Sequence, residues 1–246
     1  MGRVLSVTSG KGGVGKSTVT CGLGTALSRL GFRVLAVDCD SGLRCLDLML
    51  STSKDSAFNL ADVISGEADI SQSAVAVSEA PGLYVLSAPQ YPEALNDLNG
   101  FKTAVRSGAE SFDYVLLDCP AGIGKDFESV VSVSDGIMIA ATPDPVSVRD
   151  AETAAERAGK LTNAPSRLII NRFDIKLVKK GLYLNIDKMI DGTAVRLIGV
   201  VPEDKAVHRS LIMGKPPAKG CAAKAFMRIA RRIRGERVSI PKAKKI

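Results

Sequence analysis

The sequence predicts an α/β fold built on a mostly parallel, twisted sheet with helices on both faces. Three observations carry this expectation. Short apolar, β-branched runs alternate with stretches long enough for a helix, the pattern of repeated βαβ units. Several runs are continuously apolar, which suits strands covered on both faces by crossover helices. The first run also leads through a glycine-rich loop, VTSGKGGVGKST at residues 7–18, straight into a helical stretch. With 246 residues and 46% apolar content, the chain can fill one large core. No repeat or linker divides it, so one domain is expected over residues 1–238, followed by a short basic tail at 239–246.

A first strand is expected at residues 3–8, and the loop after it fits the pattern Gly10-x-x-x-x-Gly15-Lys16-Ser17. Such a loop suits phosphate for physical reasons. Glycines let successive backbone N–H groups turn inward, and the following helix N-terminus adds partial positive charge. Lys16 can reach the β and γ phosphates, and Ser17 can offer its hydroxyl to Mg²⁺. The helix should run over residues 17–30, and the next strand, at 33–38, ends in Asp38-Cys39-Asp40. After a strand at 83–88, the apolar run at 114–119 delivers Asp118, the carboxylate a phosphate loop needs to order a Mg²⁺ shell. Asp38, Asp40 and Asp118 would converge at the carboxyl edge of the sheet, where open parallel sheets bind ligands. The run Pro120-Ala121-Gly122-Ile123-Gly124 supplies flexible backbone suited to sensing a γ-phosphate. Strands at 136–141, 167–171 and 196–201 complete the sheet. Residues 222–234 then form a helical pattern with Phe226, Ile229, Ala230 and Ile233 on one face, expected to dock as the last helix.

Composition narrows the class. No apolar run approaches the roughly 18 residues of a membrane span, and the start MGRVLSVTS lacks the plan of a signal peptide, so a cytosolic protein is expected. Five cysteines, at 21, 39, 45, 119 and 221, form no CxxC pair, which points to buried or idle thiols rather than disulfides or zinc. His208, the single histidine, reads as a surface or packing residue. The net charge of +7 is concentrated: residues 215–246 carry +10 and the rest −3, a local surface for an anionic partner on a mildly acidic body. Trp is absent and aromatics are 4%, which leaves no stacking platform for single-stranded nucleic acid and counts against a DNA-bound role.

A second lysine remains unexplained by phosphate binding within one chain. Lys11 opens the run Lys11-Gly12-Gly13-Val14-Gly15-Lys16, although Lys16 already serves the phosphates. This loop resembles the deviant Walker A signature KGGxGK[ST] of the MinD/ParA ATPases, a SIMIBI-type class of P-loop NTPase. On the MinD side of that family the resemblance continues through residues 38–47, 118–123, 147–150 and 201–204. It implies ATP/ADP and Mg²⁺ as ligands, slow hydrolysis stimulated by a partner, and an ATP-dependent homodimer. In that dimer Lys11 would reach the phosphates held by the partner subunit, a second cation spreading transition-state charge.

By the same resemblance Asp40 would position the attacking water, and Ser17, Asp38 and Asp118 would serve the metal. Gly10, Gly12, Gly13, Val14, Gly15, Thr18 and Gly122 would line the phosphates, and Asn171 with Pro202, Glu203 and Asp204 would hold the adenine. Asn171 also reads as an ordinary turn former ending its strand.

Two departures stand out. Cys45 lies where the family usually has Asn, without the amide's paired donor and acceptor. The tail has Pro241 and two isoleucines in place of a bulky amphipathic helix, so membrane contact through it would be weak or reversible and would rest on lysines and doubling in a dimer. The resemblance implies a role in septum placement with MinC-like and MinE- or DivIVA-like partners. A ParA-like DNA partitioning ATPase, or a flagellar-number or transcription regulator governed by nucleotide binding, stays open.

Overall fold

The computed structural model describes residues 1–42, 44–53, 55, 57–90 and 92–241. In chain order the elements are β1 Arg3–Thr8, α1 Lys16–Arg29, β2 Val34–Asp38, α2 Leu46–Met49, α3 Leu60–Ser65, α4 Ile70–Ser73, β3 Val75–Ala76, β4 Leu83–Leu86, α5 Leu98–Ser111 and β5 Tyr114–Asp118. The second half continues with α6 Lys125–Ser132, β6 Gly136–Ala141, α7 Pro145–Leu161, β7 Ser166–Phe173, α8 Ile175–Lys179, α9 Ile186–Thr193, β8 Leu197–Pro202, α10 Lys205–Ile212 and α11 Cys221–Ile233. The strands form one sheet in the order β3-β4-β2-β5-β1-β6-β7-β8, parallel throughout except for β3 against β4.

All seven expected strands are present, with ends moved by at most two residues. The strand that periodicity missed is β3, whose two residues are too few to carry a pattern.

Side-chain alternation along the strands divides the core between the two faces. Leu5, Val34, Ala36 and Met138 pack under α1 and α11, whereas Leu35, Val37, Val115 and Leu117 pack under α3 and α5. Ile137, Ile139, Leu168 and Ile170 lie under α7 and α9. Strands β5 and β6 therefore read as nearly unbroken apolar runs, and even Ser6 and Thr8 of β1 are buried, because both faces are covered.

The chain leaves β1 toward β2 on one side and β5 toward β6 on the other, so the loops after β1 and β5 diverge at a topological switch point. Among the described residues no helix is long and apolar enough to cross a membrane. Residues 242–246 of the tail lie outside the described residues.

Helix α11 docks by the expected face: Phe226, Ile229, Ala230 and Ile233 are all buried. Two glycines make room for it. A Cβ on Gly22 of α1 would sit 2.3 Å from the Phe226 ring, and one on Gly199 of β8 would sit 2.3 Å from Ile229. Gly22→Ala should therefore lower stability by about 1–3 kcal/mol through overpacking, even though alanine is the better helix former by about 1 kcal/mol. Denaturant unfolding of the two proteins measures this, and a stabilised variant would contradict the fit.

Candidate active site

Lys16, Ser17 and Thr18 open α1 directly above the carboxyl end of β1. The helix N-cap is Gly15, held at φ 92 and making no side-chain cap. Its first N–H groups are therefore left for a ligand rather than for a capping oxygen. Gly13 also has φ 80, and a Cβ there would meet nothing within 4 Å, because the loop wraps open space. That space is a cavity of about 200 Å³ lined by Gly12, Gly13, Lys16, Ser17, Asp38 and Asp40, among others.

Other loop residues hold the cradle in place. Val14 is buried in the core, and its carbonyl accepts a 2.8 Å hydrogen bond from Asn171 Nδ2. Gly10 lies so close to α7 that a Cβ would be 2.1 Å from the Asp150 carbonyl. The buried Val14 side chain and the lack of one at Gly10 thus serve the shape of the loop, and only their backbone can face a phosphate.

Beneath the loop lie two buried carboxylates. Asp38 on β2 and Asp118 on β5 are direct lateral partners in the parallel register, so both project to the same face of the sheet. Thr20 donates to Asp118 Oδ1 at 3.0 Å, and Ser17 donates to the same carboxylate. Asp38 accepts three backbone N–H bonds, from Asp40 at 3.0 Å, Cys45 at 2.8 Å and Leu46 at 3.0 Å. The segment leading into α2 is therefore fastened to an acid at the floor of the cavity. Cys45 makes this contact with its backbone, so the bond does not depend on which side chain stands there.

Burial raises Asp38 to about 6, with its backbone bonds opposing. Burial, and next the charge of Asp38, raise Asp118 to about 7, while Ser17, Thr20 and Lys16 pull it down. Two carboxylates, a hydroxyl and a lysine in this arrangement fit a hydrated Mg²⁺ with a polyphosphate. Mg²⁺ takes few protein ligands and keeps its waters, and a dication would offset the burial, and the lesser repulsion, that now favour protons on the pair.

A pH dependence follows. The folded carboxylates titrate above their unfolded value of about 3.8, so the fold holds protons that the unfolded chain gives up. Their contribution to stability is complete below pH ~4 and is lost as pH rises through 6 to 7. Metal-free protein should lose stability over that window more steeply than Asp118→Asn. Mg-ADP should bind tighter at pH 8 than at pH 6, with proton release measurable by calorimetry in buffers of different ionisation heat. Equal slopes for the two proteins would remove the buried pair as the cause.

A second, larger cavity of about 580 Å³ adjoins the first on the side of β7, β8 and α10. Asn171, Pro202, Glu203 and Asp204, the residues expected from the resemblance to hold the adenine, all line it. The Asp204 carboxylate also has partners within the chain. Its Oδ1 caps α10 through the Ala206 N–H at 2.9 Å, and its Oδ2 accepts from the Ala222 N–H at 3.0 Å and the Cys221 thiol at 3.1 Å. The carboxylate thus clasps two helices. His208 is exposed on α10 at the rim of this cavity.

Lys11 stands apart from both cavities. Its Nζ lies 3.3 Å from Asp144 Oδ1, a half-exposed pair at the start of α7. Asp144 also caps that helix through the Ser147 N–H at 2.9 Å. An exposed pair of this kind contributes under about 1 kcal/mol and is readily exchanged for another anion. Gly122 carries φ 90 with open space around it, so its loop is free to approach a ligand. Asp40 caps its own turn through the Gly42 N–H at 3.1 Å and lines the phosphate cavity together with Ala121 of that loop.

Sequence reading missed Thr20, Asp144 and Arg172. Thr20 looked like one more helical threonine, and nothing local marks Asp144 as the resting partner of Lys11.

Comparison with known proteins agrees with this geometry. Residues 5–217 match the CobQ/CobB/MinD/ParA nucleotide binding domain. The chain is 37% identical over 246 residues to the septum site-determining protein MinD of Bacillus subtilis, covering 98% of this chain and 92% of that one. It superposes on MinD of the Aquifex aeolicus MinC:MinD cell division complex with a TM-score of 0.90 and 32% identity, covering 98% of each chain. Against the Pyrococcus horikoshii MinD complexed with Mg-ADP, the TM-score is 0.84 at 27% identity, covering 95% of this chain and 96% of that one. The glycine cradle, the paired carboxylates beneath it and this likeness along nearly the whole length make the chain a member of the MinD family of septum site-determining ATPases.

Proposed function

We propose that the protein hydrolyses ATP to ADP and phosphate and uses ATP-dependent dimerisation as a spatial switch in division-site selection. The observation that carries this is the cavity lined by Gly12, Gly13, Gly15 and the buried Lys16, with Asp38 and Asp118 paired below. Ser17 and Asp118, already hydrogen-bonded, would hold Mg²⁺ with Asp38 behind them. That metal would supply positive charge to the β- and γ-phosphate oxygens. Lys16 binds those same oxygens, the glycine N–H groups fix their orientation, and Asp40 orients the attacking water. Asn171 and the 202–204 loop shape the adenine pocket.

Lys11 leaves Asp144 in the dimer and meets the phosphates of the nucleotide on the partner subunit. A MinC-like inhibitor reads the dimer, and MinE- or DivIVA-like proteins direct it in the cell. Residues 1–238 act as one ATPase domain. The basic tail from 239 to 246 gives weak, reversible attachment to anionic membrane when the dimer doubles it.

Co-sedimentation with anionic liposomes, in ATP and in ADP, tests the switch on the full chain and on one ending at Val238. Pelleting that requires both ATP and the tail is expected. Hydrolysis without pelleting in either nucleotide would discard membrane attachment and leave the ATPase.

A further inference from the structure

Arg172 is a residue that neither the loop motif nor the metal site uses. It has φ 56, a left-handed backbone that a long side chain adopts only at a cost of about 1 kcal/mol or more. The cause is a bulge in β7. Ile170 pairs with Val200 and Phe173 with Pro202, so β7 places an extra residue against β8 just before the strand ends. The bulge turns Asn171 inward, where it is 3% exposed and bonded to Val14, and turns Arg172 outward. Arg172 is therefore held rigidly, one residue from a strut that grips the phosphate loop.

Its side chain lines both cavities, the one above the glycines and the one bounded by the 202–204 loop. Lys16 lines only the first, and Lys205 only the second. Among the described residues Arg172 is the cation that lines both, together with Thr18 and Met49. A nucleotide that puts its base in one cavity and its terminal phosphates in the other must lay its ribose and α-phosphate where the two adjoin.

We propose that the Arg172 guanidinium pairs with the α-phosphate of the bound nucleotide, clamping it where base and phosphates meet. This rests on the nucleotide reading of the site. A planar fork of N–H donors matches two phosphate oxygens, and Lys16 is left to the β and γ positions. A glycine would relax the backbone at residue 172, so the arginine is explained by its head group and not by its conformation.

Calorimetric titration of the full chain with Mg-ADP tests the clamp, using Arg172→Ala, Arg172→Gly, Arg172→Lys and, as a control, Lys16→Ala. Arg172→Ala and Arg172→Gly should both weaken ADP by about tenfold or more, the loss expected of one charge-assisted hydrogen bond, and Arg172→Lys should fall between them and wild type. Phosphorus NMR of bound ADP should show the α resonance moved in Arg172→Lys with the β resonance held. If Arg172→Gly binds ADP as wild type does, only the backbone shape matters and the clamp is overturned. An unmoved α resonance overturns it as well. Failure of the wild-type chain to bind Mg-ADP would instead overturn the nucleotide reading itself, a result separable from an Arg172 variant that binds normally while Lys16→Ala does not.

Discussion

Lys16→Ala is expected to reduce affinity for ATP and ADP by about a hundredfold or more. The side chain is 8% exposed, in a cavity that it shares with the acids Asp38 and Asp40 and the hydroxyls of Ser17 and Thr18, with Arg172 as the other cation at its edge. Without it, the β and γ phosphates would face Asp38, Asp40 and Asp118 with only backbone N–H groups beside them to offset the repulsion. Truncating one member of a desolvated charge pair costs about 2–5 kcal/mol. The fold should survive, because the helix it opens is anchored farther along by Val19, Leu23 and Leu27, all buried. Thermal unfolding with and without ligand gives a direct reading. Wild type at a hundred times its Kd should gain about 2.7 kcal/mol, and Lys16→Ala almost nothing. An undiminished ligand-induced shift would mean that the cavity above the glycines is not the nucleotide site.

Lys11→Ala should separate binding from assembly. Lys11 lies outside the phosphate cavity and rests on Asp144, so a single subunit should bind ATP within about threefold of wild type. What should disappear is the ATP dimer, since the triphosphates would face the partner with no cation between them. Hydrolysis should fall by about a hundredfold or more, the scale of losing a cation that stabilises transition-state charge. Asp40→Ala should behave in the opposite way, keeping the ATP dimer while losing turnover, because it alters the orientation of water and leaves the intersubunit cation in place. Light scattering in ATP together with phosphate release distinguishes the two variants. A Lys11→Ala protein that dimerises and turns over normally would assign that lysine to the Asp144 pair alone.

Much of this was legible in the chain because local periodicity encodes local structure. Nearly continuous apolar runs at β5 and β6 show burial on both faces, and the glycine spacing of the loop fixes its affinity for phosphate wherever the strand and helix stand. Asp38 and Asp118 could be placed at strand ends for the same reason. At Asn171 and Asp204 the contacts within the chain were not legible. One props the loop and the other joins two helices, contacts that link residues 157 and 18 positions apart in the chain.

The sequence by itself determined the sheet, the phosphate loop and the family. Each of these is written in residue types at short spacing, and short-range sterics and hydrogen bonding turn that spacing into shape. Tertiary structure alone decided that Asp38 and Asp118 stand side by side under Lys16, that Lys11 rests on Asp144, that Phe226 fills the space left by Gly22, and that a bulge lifts Arg172 over the joint of two cavities. Those relations depend on strand order and register, which bring together residues from opposite ends of the chain, and no local pattern carries that information.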